Sequence, residues 1–121
     1  MTVSGIRRRA LVALAALSIM GGSALAQEIK SVDTSRLVTV GGSVTEIVFD
    51  LGLGDKVVAR DITSFYPDAV NKLPSVGYMR ALSPEGVLSV NPSAILMIQG
   101  SGPKETIDVL SKASVPLVTI P

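Results

Sequence analysis

Four short apolar runs constrain this chain more than anything else in it: Leu37–Val40 (LVTV), Val57–Ala59 (VVA), Ala94–Ile98 (AILMI) and Leu117–Ile120 (LVTI). None contains a charge, and none keeps the strict polar–apolar alternation of a strand with one wet face. Runs of this kind belong to strands covered on both sides, as in a parallel sheet.

The intervening segments carry helix signals. Gly41-Gly42 breaks the first run. Ser43 and Glu46 then stand in S-x-x-E spacing, which predicts a helix with Ser43 as N-cap and a capping box. Val44, Ile47, Val48 and Leu51 follow at i, i+3, i+4 and i+7, one expected buried face. Gly52 and Gly54 mark its end. Ser83-Pro84-Glu85 predicts a second helix, capped by Ser83 with Pro84 in its first position, and Asn91-Pro92 closes it. A third helix is expected after Pro103, with Ile107 and Leu110 inward. The order βαβαβαβ predicts an α/β fold, a parallel sheet flanked by helices with right-handed crossovers. Ligands of open α/β sheets sit beyond the carboxyl ends of the strands. Gly41-Gly42-Ser43, the loop Asp61–Leu82 and Gln99-Gly100-Ser101 should meet at that edge.

Residues 1–26 read as a cleaved signal peptide. Arg7, Arg8 and Arg9 precede the apolar run Leu11–Met20, and Ala24-Leu25-Ala26 fits a signal-peptidase site before Gln27. The apolar run is shorter than the ~20 residues a membrane-spanning helix needs. Both the general and the twin-arginine export routes stay open. The whole chain carries 11 basic and 10 acidic residues; loss of the three leader arginines leaves eight against ten, a net −2. That balance gives no footing for nucleic acid. A soluble, monomeric periplasmic product, 27–121, is expected. Because the sequence stops directly after a strand, it is expected to be an incomplete lobe.

The chain has neither Cys nor His. That excludes thiol nucleophiles, His-based triads and the usual zinc sites. With no GxSxG, GxGxxG or P-loop pattern, nothing favours an enzyme, and a binding protein is expected. A metal would have to be met by oxygen donors or Met sulfur.

Both tyrosines, Tyr66 and Tyr78, and nearby Arg80 lie in the loop Asp61–Leu82. Long irregular segments held between regular elements are where sites tend to be placed. The runs RLVTVGGSVTEIVFDLG, TSFYP and LPSVGYMRALSPEGVLSVNPSAIL together resemble the periplasmic haem-binding proteins of bacterial ABC haem importers. The strand-GG-S-x-T-E-helix segment is common to the wider class of haem, siderophore and cobalamin receptors, whereas TSFYP and GYMR point to the haem branch. The resemblance implies the N-terminal lobe of a two-lobed, helical-backbone (class III) periplasmic binding protein.

On that resemblance Tyr66 matches the tyrosine that ligates ferric haem. The chemistry suits it: phenolate is a hard anionic donor for Fe(III), and tyrosine is a known axial ligand. A free phenol titrates near about 10, so ligation requires proton loss, which the ferric charge favours. Arg80 has two open roles, a cation beside the phenolate or a partner for a haem propionate. Gly42 and Ser43, at a helix start, offer amides for a propionate; Phe65, Tyr78 and Met79 are candidates to line the ring. Expected partners are haem and the permease and ATPase of an inner-membrane ABC transporter, with Glu46 and Glu85 as exposed docking candidates. A ferric siderophore or cobalamin receptor of the same fold, or a truncated remnant without function, are the alternatives. In the exported protein, N-terminal sequencing should read from Gln27; a start upstream of Ala24 would overturn the leader assignment.

Overall fold

The computed structural model describes residues 31–121; the leader and its cleavage site lie outside the described residues. Strands β1 (Leu37–Val40), β2 (Val57–Arg60), β3 (Ala94–Ile98) and β4 (Leu117–Ile120) form one sheet in the order β2-β1-β3-β4. All its pairings are parallel. Helices α1 (Gly42–Asp50), α2 (Pro84–Leu88) and α3 (Lys104–Lys112) connect them, with 3₁₀ turns at Gly54–Lys56 and Asp68–Lys72.

The apolar runs of the two central strands, β1 and β3, are buried on both faces, as their composition requires, whereas β4 at the sheet edge is only half-buried, with Thr119 exposed, because no further strand covers it among the described residues. Val38 and Val40 of β1 and Ile95 and Met97 of β3 pack with Val87 of α2 and Leu110 of α3. Their neighbours Leu37 and Ala94 point the other way, with Val48 of α1 and Val57. Alternate residues of one strand therefore feed two cores, which only a helix-covered sheet allows. Leu37, Ile95 and Leu110 are wholly buried, and each side chain of this size contributes roughly 1.5–3 kcal/mol.

Ser83 caps α2 as its sequence predicts: its hydroxyl accepts from the Gly86 N–H at 3.0 Å. The start of α1 differs from expectation. The helix is capped by Gly41 and begins at Gly42, two residues earlier, and Ser43 lies inside it with no capping bond from any side chain. The S-x-x-E box does not form, because Gly41 adopts φ 100° and turns strand directly into helix. Only glycine takes that conformation at little cost. Space excludes a side chain there as well: a Cβ on Gly41 would lie 2.7 Å from Ile98 Cγ2.

The buried face of α1 is also narrower than its spacing suggests. Val44, Thr45 and Val48 are buried, but Ile47 is 52% and Leu51 71% exposed. The sheet ends at β4, so this side of α1 has no covering element among the described residues. Ile47 and Leu51 instead border an open apolar groove with Leu96 and Ile120. No described helix is long and apolar enough to cross a membrane.

Urea unfolding distinguishes the serines. Ser83→Ala should cost about 1 kcal/mol as a lost cap, whereas Ser43→Ala should stay within about 0.5 kcal/mol. Gly41→Ala should exceed both, since both its dihedral and its space are refused.

Candidate functional site

The site begins where β2 ends. The Asp61 N–H donates to the Thr39 carbonyl at 3.2 Å, extending the sheet by one bond. The chain then leaves the sheet, and the Asp61 side chain turns inward, wholly buried. Its Oδ1 accepts from the Gly41 N–H at 2.9 Å and the Ser64 hydroxyl at 2.7 Å. Its Oδ2 accepts from the Thr63 N–H at 3.1 Å and the Thr63 hydroxyl at 2.6 Å. A buried carboxylate is tolerated only when donors replace the lost water, and here two of them are backbone amides.

This cluster extends through hydroxyls. Ser64 Oγ is 2.6 Å from Thr45 Oγ1 on α1, which is 2.8 Å from Thr39 Oγ1 on β1. Thr39, Thr45 and Ser64 are all wholly buried. Strand, helix and loop thus share one polar knot inside an otherwise apolar layer. The loop also approaches the helix start closely: a Cβ on Gly42 would lie 2.8 Å from the Thr63 carbonyl oxygen.

Two residues beyond Ser64 the chain emerges as Phe65 and Tyr66, 69% and 62% exposed. The Asn71 amide donates to the Phe65 carbonyl at 3.1 Å, and Val70 anchors the following 3₁₀ turn in the interior. The Tyr66–Pro67 peptide is cis. Gly42, Ser43, Glu46, Thr63, Phe65 and Tyr66 enclose a pocket of about 120 Å³. The first bond of α1 is made by Thr45, whose N–H donates to the Gly41 carbonyl at 3.1 Å. The amides of Gly42 and Ser43 therefore remain available beside the phenol.

The sequence placed Gly42, Ser43 and Tyr66 at one edge, and the fold brings them together. Glu46, read as a capping residue, is exposed and lines this pocket instead. Tyr78 and Arg80 do not line it. They sit on the far limb of the loop, which is tied back where Ile62 N–H donates to the Gly77 carbonyl at 2.9 Å. The turn after β3, expected at the pocket, braces that limb: Gly102 N–H donates to the Met79 carbonyl at 2.8 Å, and Leu82 N–H to that of Gly102 at 3.0 Å. Tyr78 is 41% exposed. Met79, a candidate for the ring face, packs against the core. Arg80 is exposed, and the ion pair found among the described residues, Lys104–Asp108, leaves it out.

Thr63 and Asp61 were the residues sequence reading undervalued. The signal for Asp61 was the D-x-T-S spacing, which lets one carboxylate accept from the residues two and three positions on. Among the described residues no group of three or more acidic, Cys or His side chains is arranged to hold a metal. A larger cavity of about 330 Å³ lies between α3 and β4, lined by Ile107, Ser111, Val115 and Leu117 among others. Its lining has no ionisable side chain and it borders the amino end of β4, away from the Tyr66 loop, so size does not make it the site.

Comparison with known proteins agrees with this architecture. The family described as periplasmic binding protein matches residues 37–121. Periplasmic heme-binding protein RhuT from Roseiflexus sp. RS-1, in its apo form, superposes with a TM-score of 0.68 at 42% identity, over 70% of this chain and 33% of that one. A periplasmic heme-binding protein from Pseudomonas aeruginosa gives 0.69 at 41% identity, over 71% and 31%. Among curated proteins, the vitamin B12-binding protein of Yersinia pestis (strain Pestoides F) is 33% identical over 82 residues, 68% of this chain and 29% of its own length. The chain thus spans about a third of the length of the proteins it matches. By sequence match and by fold, this chain belongs to the periplasmic binding protein family, with the helix-flanked parallel sheet of its class III members.

Proposed function

We propose that this chain is the ligand-capturing lobe of an exported haem receptor, with the Tyr66 phenolate as the axial ligand of ferric haem. The observation that carries the reading is the placement of Tyr66. A phenol stands largely in solvent at the carboxyl edge of a parallel sheet, beside Phe65 and the open start of α1. Exposing two adjacent aromatic rings there is costly unless a ligand covers them. The likeness to solved heme-binding proteins at 40–42% identity supports the same ligand.

The pocket of about 120 Å³ suits one end of a ligand rather than a macrocycle. In this reading a propionate enters it and meets the amides of Gly42 and Ser43, where the helix dipole favours an anion. The ring plane then lies over Phe65, with Tyr66 on the iron. Arg80, exposed and without an anionic partner among the described residues, takes a propionate or steadies the phenolate from the other limb, and Tyr78 flanks the ring. Capture is binding alone, with no chemical step. An anionic oxygen ligand favours the ferric state, which suits uptake and release.

The leader, 1–26, delivers residues 27–121 to the periplasm, and the loaded protein hands haem to a permease driven by its ATPase. Glu46 and Glu85, both exposed, are the acidic contacts offered to that permease. The second reading is a cobalamin receptor, favoured by the vitamin B12-binding relative.

Titration with hemin, followed in the visible region, separates them. The chain should develop a high-spin ferric band with phenolate charge transfer. Tyr66→Ala should lose that band and at least about tenfold in affinity, or ~1.4 kcal/mol. Tyr78→Phe should change affinity little. Cobalamin binding without a hemin-dependent band would overturn the haem reading in favour of the second.

A further inference from the structure

We infer that Asp61 is the positioning residue of this site: its buried carboxylate fixes the Tyr66 loop against the start of α1 and so sets the geometry in which the phenol meets its ligand. The inference rests on the haem reading above and adds a residue to it that never touches the ligand.

Asp61 is wholly buried and does not line the pocket. Its Oδ1 bonds both of the pocket's walls, and its Oδ2 bonds the loop wall alone. The Gly41 N–H lies one residue before the α1 wall, Gly42 and Ser43. Thr63 and Ser64 lie on the strand of loop that runs into Phe65 and Tyr66. No other side chain among the described residues bonds both walls. Ser64 adds a second link, to Thr45 on α1, through its hydroxyl.

Both walls reach the carboxylate through a backbone N–H, and this makes its charge type essential. Oδ1 receives the Gly41 amide and Oδ2 the Thr63 amide. Neither amide can reverse its polarity. An asparagine must present its NH₂ group to one of them in either orientation, so donor faces donor and one backbone bond to the side chain is lost. A hydroxyl partner would adapt by rotation; a backbone amide does not. The isosteric change Asp61→Asn is therefore a specific probe of wall spacing.

Four proteins decide the matter: the parent chain, Asp61→Asn, Ser64→Ala and Tyr66→Phe. Each is titrated with hemin, with circular dichroism to establish folding. Tyr66→Phe should lose the phenolate band. Asp61→Asn should keep native circular dichroism, weaken hemin binding by tenfold or more, and shift or diminish the phenolate band although Tyr66 is intact. Loss of general stability alone would leave that band unchanged in the folded, bound fraction. Ser64→Ala, equally remote from the ligand, should show a smaller effect of the same kind, and it carries the test if Asp61→Asn does not fold. Should both variants match the parent in band and affinity while Tyr66→Phe fails, the inference is overturned and the haem reading stands. Should Tyr66→Phe keep the parent's band, the haem reading falls and this inference with it.

Discussion

The carboxylate of Asp61 is the interaction on which the rest of this lobe's working edge depends. Taking an ionised group out of water costs several kcal/mol even after the protein relaxes. The cost is offset here by donors on both oxygens, contributed by the β1–α1 turn and by the loop itself. Removing the carboxylate would leave the buried Gly41 amide without a partner and free the Thr63 amide, so strand end, helix start and loop stay together or loosen together. The group behaves less like a surface charge than like a fourth structural layer at the sheet's edge.

Around that anchor the structure divides labour between rigid and exposed parts. The sheet's central strands are covered on both faces by apolar packing, with Val38, Ile95 and Met97 on one side and Leu37 and Ala94 on the other. Nothing in those layers can recognise a ligand. In open α/β sheets ligands are met where the strands stop, because only there does the backbone leave its ladder and expose amides and irregular side chains. The glycines of the first turn serve this directly. Gly41 allows the sharp reversal, and Gly42 lets the Thr63 carbonyl approach the helix where any Cβ would intrude. The phenol of Tyr66 then stands beside free helix amides rather than at a distance from them.

Much of this was legible from the residues. Every strand fell where an uninterrupted apolar run stood, and Ser83-Pro84 gave the start of α2 to the residue. Such signals are local: they depend on neighbours along the chain and survive in any tertiary setting. The α1 cap misled for the opposite reason. Ser43 and Glu46 have the right spacing, but the Gly41 N–H that opens the turn is satisfied from twenty residues away. Ile47 and Leu51 likewise hold the right period, yet a period says which residues share a face and not whether another element covers it. The sequence put both tyrosines in one loop; the Ile62–Gly77 and Gly102–Met79 bonds put them on separate limbs.

The sequence by itself determined the layered α/β architecture, the order of its elements and the long irregular loop at the sheet's carboxyl edge. Those follow from hydrophobic runs and turn residues, whose physics acts over a few positions. Only the tertiary structure decided which of the loop's residues face the α1 start, that Glu46 borders the pocket, and that Asp61 is the pin rather than a ligand. These depend on hydrogen bonds between groups brought together by folding, and a carboxylate reads the same in a sequence whether it will face water or a ring of buried amides.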